Sequence, residues 1–181
     1  MRFLVALALA SVAVLVASPV ASPNASTKIE RRAALEAAVV REMNRVRAAR
    51  GLTPLRAAPA LRSAARGHSQ AMLAHGFFSH ESADGTAFSE RIRRYYSNAG
   101  YARWSVGEAL MASQGRFVDA EAIVTAWLES PSHRAIILST TWRDTGIGVL
   151  YAPSAPAPFG GAEAVVVTAD FGLREGRAGT S

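Results

Sequence analysis

At 181 residues, with 20 basic side chains against 14 acidic ones and a net charge of +6, the chain has room for one domain and an appendage but not for two full cores. It holds no cysteine, which excludes a disulfide framework and a lipid-modified N-terminal cysteine and leaves packing to supply the stability. Apart from Lys28 every side-chain base other than histidine is arginine; these are spread along the chain as on a solvated surface, and no nucleic-acid motif accompanies them.

Arg2 is followed by an uncharged run from Phe3 to Val16 and then by small residues and prolines. That pattern reads as a signal peptide over residues 1–25, with Ala17, Ala21 and Ala25 all acceptable before a cleavage point. The run falls short of the ~20 residues that span a bilayer, so the mature domain is expected to carry no transmembrane segment. Residues 26–34 read as a linker. A helical pattern from Glu30 sets Leu35, Val39, Met43 and Val46 on one stripe and ends at Gly51, after which Pro54 holds Thr53 extended.

A second helix repeats Leu61, Ala65, Met72 and Leu73 and closes at Gly76. Ser79 to Ala87, with His80 and the turn pair Asp84-Gly85, reads as a surface loop of the kind that carries function. A third, short helix covers Phe88 to Ser97, and its Arg91-Ile-Arg-Arg94 reads as an exposed basic face. Tyr101 to Leu110 is irregular or weakly extended. Asp119 is a good N-cap for a fourth helix with Ile123, Ala126 and Trp127 inward, and Pro131 breaks it to begin a short helix capped by Ser130. Gly146–Tyr151 and Ala164–Phe171 suit an antiparallel strand pair, and residues 173–181 read as a frayed tail. Helices first and strands last imply an α+β class.

Several fragments then fall in a telling order: Asn44-Arg-Val-Arg47, Gly51-Leu-Thr-Pro-Leu55, Phe77-Phe-Ser-His80, Asp84-Gly85 with Arg91, Gly107-Glu108, Trp127, Ser130-Pro-Ser-His-Arg134 and Gly146-Ile-Gly-Val149. The series resembles the CAP superfamily of cysteine-rich secretory, antigen 5 and pathogenesis-related proteins, in its bacterial SCP-type form, over residues 35–172. The resemblance implies an α-β-α sandwich whose central antiparallel sheet is flanked by helices, with a cleft lined by two histidines and two acidic residues. Carried over by motif, these are His80, Glu108, His133 and, beside Trp127, Glu129. Ala109 stands where the pattern commonly has Asn after the glutamate.

Two imidazoles and two carboxylates form a donor set suited to Zn²⁺, with weak affinity expected. His68 and His75 match no motif and have no carboxylate nearby in sequence, so they read as structural. Tyr95, Tyr101 and Trp104 are candidates to line an apolar groove. The resemblance favours an exported binding module for an apolar or amphipathic small molecule, lipid-like, or for a cell-envelope component. The competing reading is a hydrolase in which His80, Glu108 and His133 are catalytic, either with a metal or with a hydroxyl such as that of Ser132. Neither a Gly-x-Ser-x-Gly elbow nor a His-Glu-x-x-His helix is present.

Overall fold

The computed structural model describes residues 28–177, so the leader read at 1–25 lies outside the described residues. Helix α1 spans Ala33–Ala48 and buries Val39, Met43 and Val46, the stripe expected from its periodicity, while Leu35 packs at its margin. Helix α2 (Pro59–His75) opens on a proline, whose missing N–H costs nothing in the first turn. It ends at Gly76 in the left-handed conformation (φ 68°), with the Gly76 N–H on the carbonyl of Met72. Helix α3 covers only Phe88–Arg93, and α4 (Ala120–Glu129) is capped by the Asp119 carboxylate, which accepts the Ala122 N–H at 2.8 Å. Helix α5 (Pro131–Ile137) again starts on proline.

Three long antiparallel strands form the sheet: β3 (Tyr101–Gln114), β4 (Asp144–Ala152) and β5 (Ala164–Arg177). Two-residue strands β1 (Glu30–Arg31) and β2 (Arg56–Ala57) both pair with β4, the first antiparallel and the second parallel. The order β1-β4-β5-β3 leaves β3 at one edge. Because strand side chains alternate, Ile147, Val149, Val167, Ala169 and Phe171 face one layer, where they meet α1, α4 and α5 around Trp127. The alternate positions of β4 and β5 face α2, with α3 beside it. The result is an α-β-α sandwich of the α+β class, as expected. Among the described residues no helix is long and apolar enough to cross a membrane.

The sheet reaches further than the sequence pattern suggested. Tyr101–Leu110 is the first part of a fourteen-residue strand rather than irregular chain. Its polar positions Arg103, Ser105 and Glu108 broke the apolar alternation, and an edge strand tolerates them because one side needs no sheet partner. β5 runs on to Arg177 through the segment read as a tail, and β1 with the start of α1 occupies the segment read as a linker. Arg91 is buried, not part of an exposed basic face, and Val124 rather than Ala126 turns inward from α4.

Candidate functional site

Edge strand β3 and central strand β5 pair Glu108 directly opposite Asp170, which places both carboxyl groups on the α2 side of the sheet. Both are buried, Asp170 completely. Charges of like sign side by side away from water require a cation, and Arg91 of α3 supplies it by bonding Oε2 of Glu108. The other Glu108 oxygen accepts Nδ1–H of His80 at 2.8 Å. Arg91 also donates to the His80 carbonyl (2.9 Å) and the Ser82 hydroxyl (3.2 Å), so one guanidinium fixes both the carboxylate and the loop that carries the histidine.

His80 is thereby held with Nδ1 inward while its side chain stays 51% exposed, which leaves Nε2 as the atom a ligand can reach. The hydrogen bond to Glu108 raises the His80 pKa above 6.5, against the opposing effect of burial. His133 comes from α5, in the other helical layer, and lies near enough to His80 to feel its charge. Burial, and then the charge of His80, lower its pKa. The two imidazoles are thus shifted in opposite directions. Asp170 has its pKa pushed well up by burial and then by Glu108, with Arg91 opposing. No described N–H or O–H donates to either of its oxygens.

The sequence reading passed over three of these groups. Asp170 alternates with Val167, Ala169 and Phe171 and so reads in sequence as an ordinary outward-facing polar residue, and only the helical layer over that face buries it. Arg91 reads in sequence as part of an exposed basic face, not as the partner of a buried carboxylate. His68 was set aside as remote from carboxylates, yet it lies under the His80 loop, donates Nε2–H to the Ser79 carbonyl at 2.8 Å, and feels Glu108. Burial dominates and lowers its pKa. His75 is exposed at the end of α2.

Glu129 is exposed on the outer face of α4, where it lines a shallow depression with Asp119, Glu121 and Thr125, and it bonds to neither histidine. Among the described residues no group of three or more His, Asp or Glu side chains converges to hold a metal ion. A divalent cation would therefore have only His80 Nε2 and His133 to hold it, with Glu108 orienting His80 from behind, and Lewis-acid polarisation is the chemistry such an ion would supply. Ser132 is exposed and its hydroxyl lies 3.2 Å from that of Ser130 rather than on an imidazole.

Trp104 is tied down by an Nε1–H bond to the Tyr96 carbonyl, and Arg174 lies over the rings of Tyr96 and Tyr101. Tyr101 and Tyr96 line a pocket of about 450 Å³ with Arg56, Asp144 and Arg174, and neither Tyr95 nor Trp104 is part of that lining. The larger apolar depression, about 1260 Å³, lies where α1, the β3 end and the start of α4 meet. Leu35, Ala38, Met111 and Val118 floor it, Phe117 overhangs it at 90% exposure, and Arg31, Arg32 and Arg116 rim it.

Sandwich, loop histidine and edge-strand glutamate together define a domain of the CAP class. The chain belongs to the cysteine-rich secretory protein (CAP) family, whose model matches residues 40–171. Its structural relatives include an outer surface protein from Borrelia burgdorferi (20% identity, TM-score 0.65, 82% of this chain and 99% of that one). Another is an extracellular protein containing an SCP domain from Bacillus anthracis str. Ames (22%, 0.61, 79% and 41%). A third is a cysteine-rich secretory protein from Staphylococcus aureus (15%, 0.51, 77% and 38%). At these identities the likeness shows the fold. No curated protein matches the sequence.

The opposite shifts of the histidines give a direct expectation. In an NMR titration the ring protons of His80 should move with a midpoint above 6.5 and those of His133 with one below it. Because the folded pKa of His80 exceeds the unfolded value, its contribution to stability is complete below 6.5 and fades as pH rises through the folded midpoint. Glu108→Gln should bring the two midpoints together; an unmoved His80 midpoint would contradict the pairing.

Proposed function

We propose that this is an exported, non-catalytic binding module for an amphipathic envelope molecule with an anionic head. The groove between α1 and α4 carries this reading. Its floor offers aliphatic surface for a hydrocarbon chain, and three arginines at the rim offer the charge. Arg32 is the most telling of them, since its Nε and Nη2 are shielded from water yet donate to no described partner, and Tyr151 lies under the guanidinium at 4.6 Å. Arg116 faces the same ring at 5.6 Å. Export is supported by the leader pattern at 1–25 and by relatives described as outer-surface or extracellular.

Hydrolysis is less well supported by the same geometry. A general base must reach the water or hydroxyl it deprotonates, and the Glu108 side chain is fully buried behind its bonds to Arg91 and His80. No hydroxyl is bonded to the exposed side of either His80 or His133 among the described residues. The two imidazoles are better suited to hold a polar ligand or, weakly, a divalent ion than to turn a substrate over.

Calorimetry with dodecanoate and with dodecanol tests the proposal. The acid is expected to bind at least ~10-fold more tightly than the alcohol, a preference lost in Arg32→Gln/Arg116→Gln, because charge-assisted bonds to the head disappear. Met111→Glu should abolish binding of both. Equal affinities in the parent, or ester turnover that vanishes in His133→Ala, would overturn the reading.

A further inference from the structure

The outer edge of β4 is covered at two places and bare between them. On one side β2 runs alongside, and the Thr145 carbonyl accepts the Ala58 N–H at 2.8 Å. On the other side the chain entering α1 takes over, with the Arg32 N–H on the Val149 carbonyl at 2.9 Å and a Glu36 carboxylate oxygen 3.4 Å from the Val149 N–H. Backbone groups of alternate strand residues point the same way, so Ile147, between these two, turns its N–H and C=O outward as they do. No described backbone or side-chain group outside the sheet bonds to it. Sheet edges are normally paired or blocked, and a buried polar backbone group left without a partner is costly.

Ile147 lines a cavity of about 380 Å³ between α1 and α2, which shares only Ala33 with the apolar groove and includes neither His80 nor His133. Its walls are small and apolar, supplied by Ala33, Ala37, Val40, Ala57 and Ala58. Its charge is one-sided. Glu36, the single acidic group in the lining, is already held by both Nε (2.9 and 3.1 Å) and Nη2 of Arg66. Arg41 from α1 and Arg62 from α2 also line the cavity, and neither has a described hydrogen-bond or ionic partner. The lining therefore offers a peptide-like donor and acceptor on the strand edge and two unneutralised guanidinium groups above it.

We infer that this cavity is a binding site for a short extended peptide bearing a carboxylate. One peptide residue pairs its C=O and N–H with Ile147 and fills the missing rung of the β4 edge, as strand-addition ligands do. Its carboxylate lies between Arg41 and Arg62, and the alanine walls admit only small side chains. The volume falls within the roughly 300–1,000 Å³ of ordinary small-ligand sites, enough for a dipeptide and too little for a folded partner.

The test uses the ¹⁵N-labelled full chain with two probes, N-acetyl-Ala-Ala as the free acid and as the C-terminal amide, read from the Ile147 amide resonance. The free acid should shift that resonance to saturation, and the amide should bind at least ~10-fold more weakly for want of the charge-assisted fork. In Arg41→Gln/Arg62→Gln, whose two side chains are exposed and unpaired, the acid should fall to the affinity of the amide. Arg116→Gln, at the other groove, should leave both unchanged. An Ile147 resonance that neither probe moves, equal affinities for acid and amide in the parent, or inorganic phosphate reproducing the whole shift would each overturn the assignment.

Discussion

Gly146→Ala and Gly148→Ala should each prevent the chain from reaching its native packing, although alanine is the smallest possible addition. A Cβ at Gly146 would lie 2.6 Å from Cα of Arg62 and closer still to Arg62 N and Leu61 C. At Gly148 it would lie 2.5 Å from C and 2.7 Å from O of Ala65. The obstacles are helix backbone, not side-chain ends that can swing away, so α2 would have to lift off β4. Neither glycine has positive φ, so conformational strain is not the cause and the substitution would otherwise favour a strand. Each should cost more than the ~1–3 kcal/mol of ordinary overpacking, because one rigid layer must move away from another. Gly85→Ala is the control: its φ is 80° with nothing within 4 Å of the added carbon, so only the conformational cost of roughly 1 kcal/mol applies. Urea midpoints would show it, and a Gly148→Ala protein melting beside the Gly85→Ala one would contradict the close layer contact.

The same pair of glycines shows how the sequence could be legible without being understood. Gly146-Ile-Gly-Val149 was recognisable as a pattern, but nothing local says that a helix from eighty residues earlier rests on it. Asn44-Arg-Val-Arg47 is a similar case. Asn44 pairs with both backbone groups of Leu55, at 3.0 and 2.8 Å, and the wholly buried Arg47 donates to the carbonyls of Thr53, Ile137 and Ser139. Helix periodicity and caps were readable because each depends on residues within one or two turns. Strand β3 was not, since its polar positions are explained only by edge position and by partners in β5 and α3. In the cleft, the histidine and glutamate could be carried over by motif, whereas Asp170 enters through register and Glu129 fails to reach the cleft because the turn of α4 points it outward. Both outcomes are decided by tertiary geometry.

That geometry makes Arg91 the residue on which the cleft depends. Arg91→Met keeps the apolar stem and removes the guanidinium bonded to Glu108, leaving two buried carboxyl groups face to face with only His80 beside them. Breaking a buried pair from one side costs about 3–5 kcal/mol, the larger part being the charge left behind. Loss of the bonds to the His80 carbonyl and Ser82 should also release the loop. The penalty has a definite pH dependence. A buried carboxyl whose folded pKa lies above the unfolded one binds a proton that the unfolded chain has released, so stability falls as pH rises between the two values. Asp170 already behaves this way, and Arg91 opposes its upward shift, so in Arg91→Met that shift should grow and the variant should be closest to the parent in mild acid and weakest at neutral pH. Glu108→Gln added to Arg91→Met removes the stranded charge and should restore most of the stability, while lowering the His80 midpoint toward 6.5 because the partner that raised it is gone. A loss below ~1 kcal/mol at neutral pH, of the size expected for a surface ion pair, would mean that Arg91 and Glu108 are not buried together. A double variant no more stable than Arg91→Met alone would place the cost in the loop contacts instead of in the charge.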